Sequence, residues 1–259
     1  GLYLLQGRGD NLLASIGEDG VLLVDSDYGN VQPAHLEAIR ALGADGVRFL
    51  VNTHWHGDHS GGNEAWGASG SVIMAHDNVR LRMSTRQENK LFKRVTEPSP
   101  PAAWPLVTYA DSVALHVNGQ TVEIQHYPTG HTDGDSVVFL AEADVVHLGD
   151  LFFKDRFPFV DMSSGGDVDG FITNIAALVD RVGPDTVIVP GHGDLAGRGD
   201  LQRYLDMLRG TRAEVRAMQA EGMDTAAIQA QGLDSKWDSW GAGFINEERW
   251  ISFLSANPG

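Results

Sequence analysis

Residues 52 to 62 read "NTHWHGDHSGG" and follow directly on the apolar run "VRFLV". His54, His56, Asp58 and His59 therefore sit within six positions at the end of an expected strand. No other feature restricts the fold as much, because the chain has to wrap the rest of its elements around this one crowded turn. Side chains two apart in extended backbone project to the same side, so His54 and His56 can grip one ion together. Gly57 permits a sharp turn, after which Asp58 and His59 can face a second position beside the first.

Two ions need more than four ligands, and later strand ends offer the remainder. "PTGHTDGDS" supplies His131, "VVHLGDLFF" supplies Asp150 and "VIVPGHGD" supplies His192, each next to a glycine. Glycine beside a ligand lets the backbone turn tightly where loops from several strands converge. Alone, Asp150 or His192 would read as an ordinary loop residue; the recurrence carries the argument. Cysteine is absent, so any metal must be held by His and carboxylate, and disulfides and a thiol nucleophile are excluded.

The 259 residues suffice for a sizeable core, and no composition break divides them. One domain over 1–259 is expected, with a C-terminal helical extension from about residue 200. A formal net charge of -16 argues against nucleic acid as partner, and no apolar stretch is long enough to span a bilayer. A small-molecule substrate is expected, bound by a monomer or small homo-oligomer. The start at Gly1 reads as a mature or trimmed form, and a lack of cysteine fits a periplasmic or secreted location as well as the cytoplasm.

Along the chain, "LYLLQ", "NLLASIG" and "VLLVD" read as a β-meander, followed by a helix over 33–42 with Leu36, Ile39 and Leu42 on one stripe. Strand "VRFLVN", a short helix near "NEAWGA", strand "SVIMA" and helix "DNVRLRM" come next. Strands "SVALHV", "TVEIQHY", "DSVVFL" and "DVVHLG" then lead to a helix around 169–181, strand "TVIVP" and terminal helices. Two such halves predict an α/β (α+β) fold in which two sheets pack together with helices outside. The segment 97–105, "EPSPPAAWP", is too rich in proline for a helix or a central strand and is expected to be a surface loop.

The ordered set His-x-His-x-Asp-His, Gly-His-Thr, Gly-Asp and Pro-Gly-His resembles that of the metallo-β-lactamase superfamily, up to about residue 200. The resemblance implies an αββα sandwich of two mixed sheets flanked by helices, with a dinuclear zinc centre at one edge. It assigns His54, His56 and His131 to the first zinc, Asp58, His59 and His192 to the second, and Asp150 to both. Mn or Fe is compatible with these donors. Neutral imidazoles hold zinc without cancelling its charge, and a carboxylate can span ions roughly 3.5 to 4 Å apart. Two zinc ions, two carboxylates and one hydroxide leave a net charge of about +1, suited to generating hydroxide near neutral pH.

The resemblance thus implies a hydrolase that directs metal-bound hydroxide at the carbonyl of a cyclic amide or ester, with Asp58 orienting it. A carboxylate replaces His56 in the redox di-iron relatives, so this chain points to hydrolysis. The same all-His/Asp set is similar to that of glyoxalase II, lactonases and RNA-processing nucleases. A thioester hydrolase, a phosphodiesterase or nuclease, and a non-catalytic zinc-binding protein therefore stay open. Many Cys-containing β-lactamases carry a Lys three residues after that Cys. Counting from Asp150 reaches Phe153, and Lys154 projects to the other side in extended backbone, so β-lactam hydrolysis is expected to be weak and less anionic substrates better.

Around the centre, Asp25 is a candidate for orienting a ligand histidine, and Thr53 and Thr132 are candidate hydrogen-bond partners of the ligands. Phe152, Phe153, Phe157 and Phe159 suggest an apolar wall or plain core packing. Trp104 is either a lid or a loop anchor. His35, His76, His116, His126 and His147 are read as structural, and Trp250 and Phe253 as anchors of a terminal helix.

Overall fold

Both faces of the second and third strands are apolar and covered, while the first strand is partly exposed. In a computed structural model, which describes residues 1–89 and 92–256, β1 (Leu2–Gln6), β2 (Asn11–Gly17) and β3 (Gly20–Val24) form the expected antiparallel meander. The helix α1 (Gln32–Ala41), with Pro33 in its first turn, returns the chain to β4 (Phe49–Val51), parallel to β3. The short α2 (Gly57–Ser60) and α3 (Asn63–Ala68) lead to β5 (Val72–His76) and α4 (Asp77–Ser84). A hairpin that the sequence reading did not anticipate follows, β6 (Gln87–Asn89) with β7 (Arg94–Thr96). β8 (Val107–Tyr109) then closes the first sheet, in the order β1-β2-β3-β4-β5-β8.

The second sheet is built from β9 (Ser112–Val117), β10 (Gln120–His126), β11 (Ser136–Leu140) and β12 (Val145–His147), all antiparallel. α5 (Val168–Arg181) crosses over to β13 (Val187–Val189), which pairs parallel to β12. Its N-terminus is capped by Asp167, whose carboxylate accepts from the Gly170 amide. α6 (Arg198–Ala220), α7 (Thr225–Gln231) and α8 (Glu247–Ala256) complete the chain.

Alternation along the strands explains the layers. Leu13, Leu22, Val24, Val51 and Met74 meet Val122, Ile124, Val138 and Leu140 between the two sheets. The intervening Leu12, Ala14, Leu23, Leu50 and Ile73 face outward onto Ile39 of α1 and Trp66 of α3. On the far side, Val137, Val146 and Ile188 pack against α5, α6 and α8. This is the αββα sandwich expected from the sequence; near-continuous apolar runs in the strands follow from burial on both faces.

The ligand-bearing turns all leave from one edge of this sandwich. Parallel pairing of β12 with β13 sets Gly149 against Gly191, whose amide donates to the Gly149 carbonyl at 2.8 Å. A Cβ at Gly191 would come within 2.2 Å of an Asp150 oxygen, so only glycine fits there. The two sheets are tied at this edge by Asn11, whose side-chain amide donates to Pro190 and Gly193 carbonyls, and by the Ser136 amide on the Thr53 carbonyl.

The Pro-rich segment is a loop with one 3-10 turn (Pro101–Ala103), strapped to α3 by close packing of Gly67 on the Ala102 carbonyl. Trp104 anchors it rather than covering the cleft: its Nε1 donates to Ser99, and the Arg80 guanidinium lies over its ring. The terminal helix is fastened by Trp250, fully buried, stacked on Phe157 and donating to Thr211 Oγ1.

His76, at the end of β5, and His126, at the end of β10, stack with ring centroids 3.6 Å apart and bridge the two sheets. His76 Nε2 donates to the Ala110 carbonyl, and His126 Nδ1 to that of Asp135. Burial holds both imidazoles below their ordinary range, against the opposing pull of Asp77, Asp111 and Asp133. Each ring thus binds a proton less readily in the folded than in the unfolded chain. The stability they contribute is complete above the ordinary histidine value and falls as the pH drops below it. Urea denaturation at pH 7.5 and 5.5 should show a loss on acidification that is smaller in His126→Asn. An unchanged slope would contradict this assignment.

Candidate metal centre

The seven residues singled out by spacing come together in two clusters, His54, His56, His131 and Asp150 in one, Asp58, His59 and His192 in the other. His54 and His56 converge as expected, although β4 ends at Val51 and the two histidines lie beyond it. In the first cluster His54 Nε2 and His131 Nε2 lie 3.1 and 2.8 Å from His56 Nδ1. Asp150 sits between the clusters. Its Oδ2 is 3.8 Å from His54 Nε2 and 3.4 Å from His131 Nε2, while Oδ1 is 3.1 Å from His59 Nε2 and 3.2 Å from His192 Nε2. Asp58 Oδ2 lies 3.6 Å from His192 Nε2.

Hydrogen bonds on the outer side of each ring decide which nitrogen carries the proton. His131 Nδ1 faces the Phe159 carbonyl at 2.7 Å and His56 Nε2 faces Asp161 Oδ2 at 3.0 Å; both partners only accept, so both ring atoms carry N–H. Thr53 gives its hydroxyl proton to Asp25, leaving its oxygen to accept from His54 Nδ1 at 3.2 Å. His59 Nδ1 donates to Asp25 Oδ2 at 2.8 Å. When the rings are neutral, these outward bonds leave the inward nitrogens of His54, His56, His131 and His59 as bare lone pairs.

Lone pairs converging on one another and on a carboxylate repel, and His59 Nε2 and Asp150 Oδ1, both buried, form no hydrogen bond. A cation relieves both problems, so the donor set fits a metal ion. The protonation tendencies show the same demand for positive charge, which a proton on His59 or His192 meets where no metal neutralises the carboxylates. Burial alone would keep charge off His59, yet Asp150, Asp10 and Asp25 outweigh it and hold the imidazole well above its ordinary value; His192 is raised against burial chiefly by Asp150. Burial favours a protonated carboxyl at Asp150, but His192, His59 and His131 override it and keep it well below its ordinary range. Burial lowers His54, and lowers His131 to about 4, so both stay neutral and able to ligate.

Asp25 orients His59, accepting from its Nδ1 and from both the amide and hydroxyl of Thr53. Thr132 instead locks the His131 loop, its amide and hydroxyl donating to Asp135. Two acids escaped the sequence reading. Asp161 receives His56, Ser164 Oγ and Asn89 Nδ2. Asp10, buried with neither oxygen hydrogen-bonded, lies 3.2 Å from His59 Nδ1. Both are remote from the motifs in sequence, and no spacing rule links them to a histidine.

The clusters floor a cleft of about 720 Å³. Phe153 stacks on His192 and Phe159 on His56, and with Phe157 they line it. Phe152 does not; it packs on Tyr204 in the helical core. Lys154 is turned away as expected, its ammonium donating to the Leu195 carbonyl at 2.7 Å and lying 3.8 Å from Asp200. His147 Nε2 donates to the Asn11 carbonyl and His35 pairs with Asp27, both outside the clusters.

Because Asp161 and Asp25 fix ring orientation, Asp161→Ala and Asp25→Ala should each weaken metal binding by about 10- to 100-fold. Competition with a chromogenic chelator measures this. Affinity equal to that of the parent chain would show that the rings are held by packing alone.

A sequence profile of the metallo-beta-lactamase superfamily matches residues 11–204. A type 2 metallo-beta-lactamase of Bacillus cereus is 27% identical over 191 residues, 73% of this chain and 69% of the relative. An atrochrysone carboxyl ACP thioesterase of Aspergillus terreus is 24% identical over 255 residues, 91% of this chain and 71% of the relative. Among solved structures, a metallo-beta-lactamase from Pontibacter korlensis superposes with a TM-score of 0.64 at 22% identity, covering 80% of this chain and 93% of that one. A sec-alkylsulfatase from Pseudomonas sp. reaches a TM-score of 0.73 at 18% identity, covering 98% of this chain and 48% of that one. With the profile spanning most of the sequence and every motif of the ligand set gathered at one edge of the sandwich, the chain belongs to the metallo-beta-lactamase superfamily.

Proposed function

We propose that this chain is a dinuclear zinc hydrolase of acyl carbonyls, acting on a carboxylic ester, lactone or thioester and only weakly on β-lactams. The observation that supports it best is the position of Asp150, one oxygen toward each histidine cluster. His54, His56 and His131 would hold one ion and Asp58, His59 and His192 the other, with Asp150 shared. Zinc in such a site supplies Lewis acidity toward a carbonyl oxygen and makes water acidic enough to act as a nucleophile near neutral pH.

The protein's own residues supply the rest. Asp58, the most exposed carboxylate of the set, faces the cleft and can accept a hydrogen bond from the attacking water, aiming its lone pair at the substrate. Phe153 and Phe159 shield the ligand rings from bulk solvent, which strengthens electrostatic interactions at the reacting carbonyl. Asp25 and Asp161 keep His59 and His56 from rotating away.

Two facts favour an ester or thioester over a β-lactam. Lys154 is held outside the cleft by Leu195 and Asp200, so the usual anchor for a drug carboxylate is missing. The thioesterase relative also aligns over 91% of this chain, a span that takes in more than the 73% shared with the Bacillus lactamase.

Zinc-loaded protein should contain about two metal ions per chain. His54→Ala and Asp58→Ala should each contain fewer and hydrolyse thioesters and aryl esters at close to background rate, while folded His147→Ala keeps its metal. Elemental analysis alongside a screen of thioesters, lactones, aryl esters and β-lactams measures both. Metal-free protein after reconstitution would overturn the metal assignment, and a metal-loaded protein inert toward all four classes would overturn the hydrolase.

A further inference from the structure

The cleft is asymmetric in a way that the metal ligands do not explain. An aromatic row leads outward from the first cluster: Phe159 lies 5.7 Å from the His56 ring, Phe92 lies 5.5 Å from Phe159, and Phe244 lies 5.6 Å from Phe92. Phe92 belongs to the turn between β6 and β7. Phe244 and its cleft-lining neighbour Ile245 come from the segment before α8, beyond the stretch matched by the superfamily profile. Phe244 nevertheless remains 65% exposed. The Arg249 guanidinium lies 5.4 Å from the Phe244 ring and leaves most of it in water, whereas an apolar ligand laid along the row would bury it.

Arg156 lines the same cleft. Its aliphatic stem packs on the backbone of Gly243, where an added Cβ would sit 3.3 Å from the arginine Cβ and Cδ. The chain has 35 acidic against 19 basic residues, so carboxylate partners are plentiful. The other inward basic groups have found theirs. Arg82 grips Asp133 through two nitrogens, at 2.7 and 2.5 Å, and Lys154 is engaged at Leu195 and Asp200. Arg156 has no ion-pair or hydrogen-bond partner among the described residues, and it is partly buried; Arg94, also at the cleft, is fully on the exposed rim. An unpaired guanidinium beside a cleft, on a stem fixed by packing, is a ready site for a carboxylate, sulfate or phosphate group.

We propose that the cleft selects an amphiphilic anion, with an alkyl or aryl chain lying along Phe159, Phe92 and Phe244 and an anionic group of the same substrate held by Arg156. This rests on the acyl-hydrolase reading and departs from the expectation of a less anionic substrate: Lys154 stays outside the cleft, and the anionic group lies out by Gly243, at the Phe244 end of the row.

Four 4-nitrophenyl esters separate charge from chain length: the butyrate, the hemiglutarate, the nonanoate and the hemiazelate. With zinc-loaded protein, kcat/KM should be highest for the hemiazelate. Arg156→Ala should lower the ratio of carboxylated to neutral kcat/KM on the order of 10- to 100-fold, with Arg156→Lys recovering part of it. Phe244→Ala should lower the long-to-short ratio roughly tenfold. Ratios unmoved by these substitutions would overturn the proposal while leaving the hydrolase intact. If none of the four esters is cleaved, the wider substrate screen decides the hydrolase reading, and calorimetric binding of 4-phenylbutyrate and 4-phenylbutan-1-ol decides the anion site. Weakening of the carboxylate alone in Arg156→Ala would support it, and equal binding of both by the two proteins would overturn it.

Discussion

Mutual repulsion at the edge of the sandwich is the constraint on which the rest of the structure depends. Four imidazoles turn a nitrogen inward around one buried carboxylate, and outward hydrogen bonds to Asp25, Thr53, Asp161 and Phe159 prevent them from turning back. Such an arrangement costs free energy unless a cation sits within it. The scaffold is accordingly rigid where it matters: parallel β12 and β13 bring Asp150 and His192 side by side, and glycines at 149 and 191 allow backbone where side chains would collide.

Much of this was legible in the sequence, for a physical reason. The ligands end strands, strands announce themselves by apolar runs, and glycine marks the turns, so His54, His56, Asp58, His59, His131, Asp150 and His192 could all be picked out by spacing and local composition. The layer architecture was legible for the same reason, since two-sided burial leaves little alternation to misread. What stayed hidden depends on tertiary neighbours. Asp161 reaches His56 across 105 positions, and Asp10 meets His59 only because β1 and β2 cross the site edge. The hairpin of β6 and β7 carries too few apolar residues to signal a strand pair, with Gln87, Glu88, Asn89 and Arg94 among its members.

The division of labour between scaffold and specificity follows from where each residue comes from. The candidate ligands sit on the common sandwich, and they and the hairpin lie within the stretch that the superfamily profile matches, whereas the cleft wall around Phe244 lies beyond it. Phe157 joins the two regions, because its amide donates to the Trp240 carbonyl and its ring stacks on Trp250. A change in the terminal helices can thus reach the loop that follows Asp150 without touching a ligand. Substrate choice would then evolve on these walls while the metal chemistry stayed fixed.

On the proposed reading, the Asp150 carboxylate divides two cation sites. Diffraction from crystals of zinc-loaded protein, with anomalous differences collected above and below the zinc absorption edge, tests it most directly. Two zinc peaks are expected, one on each side of that carboxylate, the first among His54, His56 and His131 and the second among Asp58, His59 and His192. A single peak, or peaks elsewhere on the molecule with the inward nitrogens hydrogen-bonded to water, would contradict it.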